Sequence, residues 1–80
     1  MLQIQKPLIQ VTLLPDRIQN YVKLLNVVKQ FALREMSVEH TLSQDGDIEL
    51  IVCGDVHLDL CVDSLKKLCD FQFHIGQVHL

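Results

Sequence analysis

No stretch of this sequence approaches the ~20 consecutive apolar residues of a bilayer-spanning helix, which excludes such a helix at the outset. Residues 1–7 lack the charged leader and long apolar run of a secretion signal, so the expected location is cytoplasmic. A basic surplus is missing too. Seven Lys and Arg stand against ten Asp and Glu, whereas a nucleic-acid binder gathers cations on one face. Neither Cys-x-x-Cys nor a zinc-type Cys/His spacing occurs. The three cysteines, Cys53, Cys61 and Cys69, cannot all pair within one chain and are expected as reduced, half-buried thiols. Repeats, low-complexity tracts and linkers are absent, which leaves one domain of 80 residues.

What is present is apolar surface. Hydrophobic residues make up 49% of the chain, enough for a packed globule rather than a disordered segment. A chain of this size buries only roughly 60–65% of its unfolded surface, so its stability margin is thin. A short chain this apolar is a candidate for association.

The pattern switches between periods of two and 3.6. Residues 8–14 are β-branched and aliphatic and predict a strand, which Pro15 stops. Asp16 is placed to cap the next element, with Gln19 three residues on as in a capping box. From Arg17 the spacing predicts a helix with Ile18, Tyr21, Val22, Leu25, Val28 and Ala32 on its buried face. Leu24, Val27 and Phe31 form a second stripe, destined either for the core or for a neighbour.

After a break near Leu33-Arg34, Met36, Val38, His40 and Leu42 alternate with Glu35, Ser37, Glu39 and Thr41, predicting an edge strand over residues 35–43. Asp45-Gly46 signals a hairpin turn into a central strand over residues 48–53. Gly54-Asp55 ends that strand. Leu58, Cys61, Val62, Leu65, Leu68 and Cys69 then repeat at helical spacing. Phe71, Phe73 and Ile75 predict a last strand, and Gly76 shifts its phase so that Val78 and Leu80 continue it, as a bulge does. The order βαββαβ predicts an α+β, ferredoxin-like sandwich: a four-stranded antiparallel sheet with both helices on one face.

Few chemistries fit these residues. RNA-recognition sheets stack bases on aromatics of the two central strands, and residues 8–14 and 48–53 contain none. A metal-transport loop needs paired thiols after the first strand, where Pro15-Asp16-Arg17 has none. An acylphosphatase-like anion cradle needs glycines beside Arg17, and they are missing. His40, His57, His74 and His79 are scattered, and no Ser–His–Asp or Cys–His set can be assembled. Glu49, Asp55, Asp59 and Asp63 read as turn and solvated helix-start residues rather than a carboxylate cluster. No catalytic constellation is expected.

Val11-Thr12-Leu13-Leu14-Pro15-Asp16-Arg17 ahead of an apolar helix resembles the opening of an ACT domain. Ile48-Glu49-Leu50-Ile51-Val52, the segment from Asp59-Leu60-Cys61-Val62 to Leu68-Cys69-Asp70, Val27-Val28-Lys29-Gln30 and Met36-Ser37 resemble the short, isozyme II type regulatory subunit of acetohydroxyacid (acetolactate) synthase. The resemblance spans essentially the whole chain through motifs that are mostly core pattern. It implies a non-catalytic subunit that activates a catalytic chain in branched-chain amino-acid biosynthesis. Thiamine diphosphate, magnesium and FAD then belong on that catalytic partner, with no cofactor and no metal on this chain.

The same resemblance implies an ACT homodimer, sheets edge to edge, with Leu24, Val27, Phe31, Met36, Val38 and His40 at the interface. It places effector contacts at Asp16, Arg17, Ile18, Gln19 and Asn20. Effector-binding relatives have a glycine there; here a side chain obstructs close backbone approach, which counts against feedback by valine. Two other readings remain open: an amino-acid-sensing ACT module of another enzyme or regulator, and a plain ferredoxin-like assembly domain.

Overall fold

The computed structural model describes residues 8–79. The chain runs β1 (Leu8–Pro15), α1 (Tyr21–Arg34), β2 (Glu39–Leu42), β3 (Ile48–Cys53), α2 (Asp55–Leu68) and β4 (Phe73–His79), with a 3₁₀ turn at Ile18–Asn20 ahead of α1. The four strands form one antiparallel sheet in the order β2-β3-β1-β4. This is the ferredoxin-like βαββαβ arrangement that the alternating periods predict, with the two aliphatic strands at its centre. Residues 1–7, where no secretion signal is expected, and Leu80 lie outside the described residues.

Period-two alternation sorts the central strands, with Thr12 of β1 buried on the opposite face. Ile9, Val11 and Leu13 of β1 and Ile48, Leu50 and Val52 of β3 are buried. They share one core with Leu24, Val28 and Phe31 of α1 and with Cys61 and Leu65 of α2, so both helices cover the same face of the sheet. On the other face, half-buried Gln10 donates a hydrogen bond from Nε2 to Glu49 Oε1 at 2.7 Å, beside half-buried Leu14, Ile51 and Cys53.

The turn and bulge signals both hold. Gly46 has φ 87°, and around it Gly46 N–H donates to the Ser43 carbonyl and Ser43 N–H to the Asp47 carbonyl, each at 2.9 Å. In β4, Ile75 faces Leu13 while Val78 faces Val11. Three residues of β4 thus span two of β1, which is a bulge at Gly76-Gln77. A Cβ on Gly76 would sit 2.8 Å from Leu14 Cδ1, so the bulge brings this backbone close to its neighbour's side chain.

Five local expectations are corrected. Asp16 caps nothing: Arg17 is the N-cap of the 3₁₀ turn, Asn20 that of α1, and neither makes a side-chain cap bond. The buried face of α1 is Leu24, Val28 and Phe31, while Ile18 and Val22 are 88% and 62% exposed. The helix begins at Tyr21 and continues through Leu33 to Arg34 rather than breaking there, and the sheet meets it about one residue round from the predicted stripe. The edge strand is also shorter than residues 35–43. Glu35 N–H donates to the Phe31 carbonyl and Val38 N–H to the Glu35 carbonyl, so this stretch forms local turns and pairing starts at Glu39. Finally, α2 starts at Asp55, where the carboxylate complements the helix N-terminus.

Gly54 sets the entry to α2 with φ 93° and has open space where a Cβ would go. Gly54→Ala therefore meets backbone strain without a clash. The expected loss is about 1–2 kcal/mol. For a chain of this size that lowers the thermal midpoint by roughly 4–15 °C, read by circular dichroism.

Candidate functional site

Two surfaces answer to the residues singled out from the sequence, and a third cluster was not anticipated. The first is the segment Asp16, Arg17, Ile18, Gln19 and Asn20, which leaves the end of β1 beside the start of β4. Asp16 N–H donates to the Gln72 carbonyl at 2.8 Å, and Asn20 N–H to the Arg17 carbonyl at 2.9 Å. Asp16 through Gln19 are exposed and Asn20 is half-buried. The Tyr21 hydroxyl donates to the Gly46 carbonyl, tying the start of α1 to the hairpin. A ligand carboxylate arriving here meets two backbone amides that already donate elsewhere.

The second surface is the free edge of β2. This strand pairs only with β3, so one row of its backbone groups has no partner within the described residues. Beside it a cavity of about 490 Å³ opens between the strand and the last turns of α1, lined by Lys29, Ala32, Leu33, Val38, Glu39 and His40. Leu33 is 78% exposed and Met36, on the turn leading in, is 98% exposed. Cationic Lys29 on the helix and anionic Glu39 on the strand rim an apolar floor.

Of the six residues expected at an interface, Val38 and His40 line this cavity, and Met36 is exposed on the turn that leads into β2. Leu24 is fully buried and Phe31 is 8% exposed, so both are core of this chain, with Phe31 also touching the cavities beside α2. Val27 is half-buried on the α1–α2 seam, in a cavity of about 220 Å³ with Asn26, Gln30, Phe31, Arg34 and Leu68. Leu33 escapes the sequence pattern because the predicted helix break falls on it; the 3.6-residue period extended by one turn reaches it, four residues after Lys29.

No family model and no curated protein matches this chain.

The third cluster joins three elements. His57 in the first turn of α2 accepts, at Nδ1, the Cys53 N–H from the end of β3 across 3.4 Å, and its Nε2 lies 3.4 Å from Ser37 Oγ. Glu35, Cys61, Ser64, Leu60 and Phe31 complete a cavity of about 160 Å³ around it. A Ser–His contact invites comparison with a nucleophile and its base, but the tautomer is the wrong one. An Nδ1 that accepts an amide N–H leaves the neutral ring's proton on Nε2, which then donates to Ser37 Oγ instead of receiving its proton.

The remaining polar candidates are dispersed. His74 is exposed on β4, Asp59 is exposed on α2, and Asp63 pairs with Lys67 at 3.2 Å on the solvated side of α2. The side chain of His79 lies outside the description. Among the described residues no group of three His, Cys, Asp or Glu is placed to hold a metal ion, and no helix is long and apolar enough to cross a membrane.

All three cysteines are free, Cys61 buried and Cys53 and Cys69 half-buried. Burial, with a smaller contribution from Glu35, pushes the Cys61 thiol up; burial and then Asp70 push Cys69 up. A raised thiol holds less thiolate at a given pH, and the thiolate is the nucleophile. Iodoacetamide near pH 8 is therefore expected to modify Cys61 at least roughly tenfold more slowly than Cys53, followed by peptide mass spectrometry. Comparable rates would mean that the α2–sheet seam opens readily.

Proposed function

We propose that the chain is a non-catalytic regulatory subunit of the acetohydroxyacid synthase type, which binds a catalytic chain and raises its activity in branched-chain amino-acid biosynthesis. The observation carrying this reading is the free β2 edge beside the apolar cavity of α1. That edge offers main-chain hydrogen bonding and about one groove's width of apolar surface to another polypeptide. The resemblance of the sequence to short ACT-domain subunits names the kind of partner.

In this reading two copies associate through β2 and the outer side of α1. The catalytic partner carries the thiamine diphosphate, magnesium and FAD, and both act in the cytoplasm. Amino-acid sensing at Asp16–Asn20 is the weaker reading, because two amides there are engaged and no glycine opens a path to the rest.

Co-expression with an acetohydroxyacid synthase catalytic chain tests the proposal. The expected result is co-purification and a severalfold rise in turnover over the catalytic chain alone. Absence of both removes the proposal, and calorimetric titration with valine, leucine and isoleucine then tests the sensor.

A further inference from the structure

We propose that His57 is a pH-operated latch between the end of β3 and the turn that leads into the edge strand β2. It rests on side-chain geometry alone and stands whether or not the chain regulates a synthase. Pairing of β2 with β3 ends at Glu39 opposite Ile51, so Cys53, two residues further along β3, has no β2 residue beside it. Its N–H turns instead to His57 Nδ1, and the same ring reaches Ser37 through Nε2. One imidazole thus does for the end of β3 what a longer β2 would have done.

The latch depends on a lone pair. In the neutral ring Nδ1 accepts and Nε2–H donates, and both contacts are satisfied. Protonation places a second N–H on Nδ1, facing the Cys53 N–H donor to donor, and that contact is lost. The groups around the ring set where it goes. Glu35, from the turn, lines the same cavity and attracts the imidazolium; Asp55 and Asp59 flank His57 by two residues on α2. The positive end of the α2 dipole and the Cys53 amide repel the cation, α1 contributes only the uncharged Phe31, and Cys61 is a neutral thiol. Acidification therefore moves the ring from β3 towards Glu35, freeing the end of β3 and loosening Ser37. The signal arrives where β2, with its open edge, begins.

Nuclear magnetic resonance on the ¹⁵N-labelled full chain tests this. At about pH 8 the His57 ring is expected to carry its proton on Nε2. Between about pH 8 and about pH 5 the exchange protection of the Cys53 amide is expected to fall about three- to tenfold, with the midpoint of the His57 ring's own titration. His57→Gln, which cannot titrate, should abolish that step, while His40→Gln and His74→Gln keep it. A proton on Nδ1 at the alkaline end overturns the latch, and this is read on the unmodified chain whatever the variants do. A Cys53 protection indifferent to pH, or a step that survives in His57→Gln, overturns it equally.

Discussion

Leu24→Ala is expected to remove about 3–5 kcal/mol of folding stability. Leu24 is fully buried among Val28 and Phe31 of its own helix and the aliphatic face of the sheet. Truncating it leaves a hole that close-packed neighbours fill only in part, so a cavity cost adds to the lost transfer energy. At about 0.05–0.15 kcal/mol per residue, a chain of this length has roughly 4–12 kcal/mol in total. The substitution thus takes a large share of the margin, and the urea midpoint should fall by about 2–4 M. Equilibrium denaturation followed by circular dichroism measures it. A loss under about 1 kcal/mol, with association weakened instead, would mean that Leu24 serves an interface after all.

Leu33→Asp is expected to do the reverse. The side chain is largely in solvent, so folding stability should fall by only about 1 kcal/mol, through lower helix propensity and a carboxylate in the last turn of α1. In an assembly built on the β2 edge, however, Leu33 is covered. Removing it forfeits about 2 kcal/mol of apolar burial per copy, and a two-fold interface counts it twice. A carboxylate facing the apolar floor adds its own desolvation cost. Self-association should therefore weaken by roughly 1,000-fold, a shift that analytical ultracentrifugation across the micromolar range resolves. An unmodified chain that is a strict monomer at tens of micromolar, or a variant that associates equally well, would remove the β2 edge as the contact.

These two leucines show how far the sequence could be read. The nearly continuous apolar run in residues 48–53 marks a central strand, and because a strand's side chains have only two directions, Ile48, Leu50 and Val52 take the buried one. Gly76 announced the bulge because Ile75 and Val78 cannot share a face without an extra residue between them. The helix was harder. Apolar residues on α1 occupy more than half its circumference, and 3.6 residues per turn leave several rotations almost equally apolar. Only docking on the sheet selected Leu24, Val28 and Phe31 over Ile18 and Val22.

The candidate site was less legible than the fold. Val38 and His40 were visible as alternating residues of an edge strand, but the cavity they share with Lys29 and Leu33 exists only once α1 lies beside β2. His57 was visible as a scattered histidine. Its two partners, Cys53 through the backbone and Ser37 from a distant turn, carry no sequence signature, since a main-chain N–H is present at every non-proline position.

Local chemistry written in the chain determined the order of elements, the turn at Gly46, the bulge at Gly76 and the strand faces, because φ/ψ preference and side-chain period act between near neighbours. Tertiary structure decided the rotation of α1, the early end of β2, the cavity along its edge and the imidazole that bridges β3 to the turn at Ser37. Each of those depends on surfaces brought together from distant parts of the chain, and packing energy between them outweighs the small local preferences.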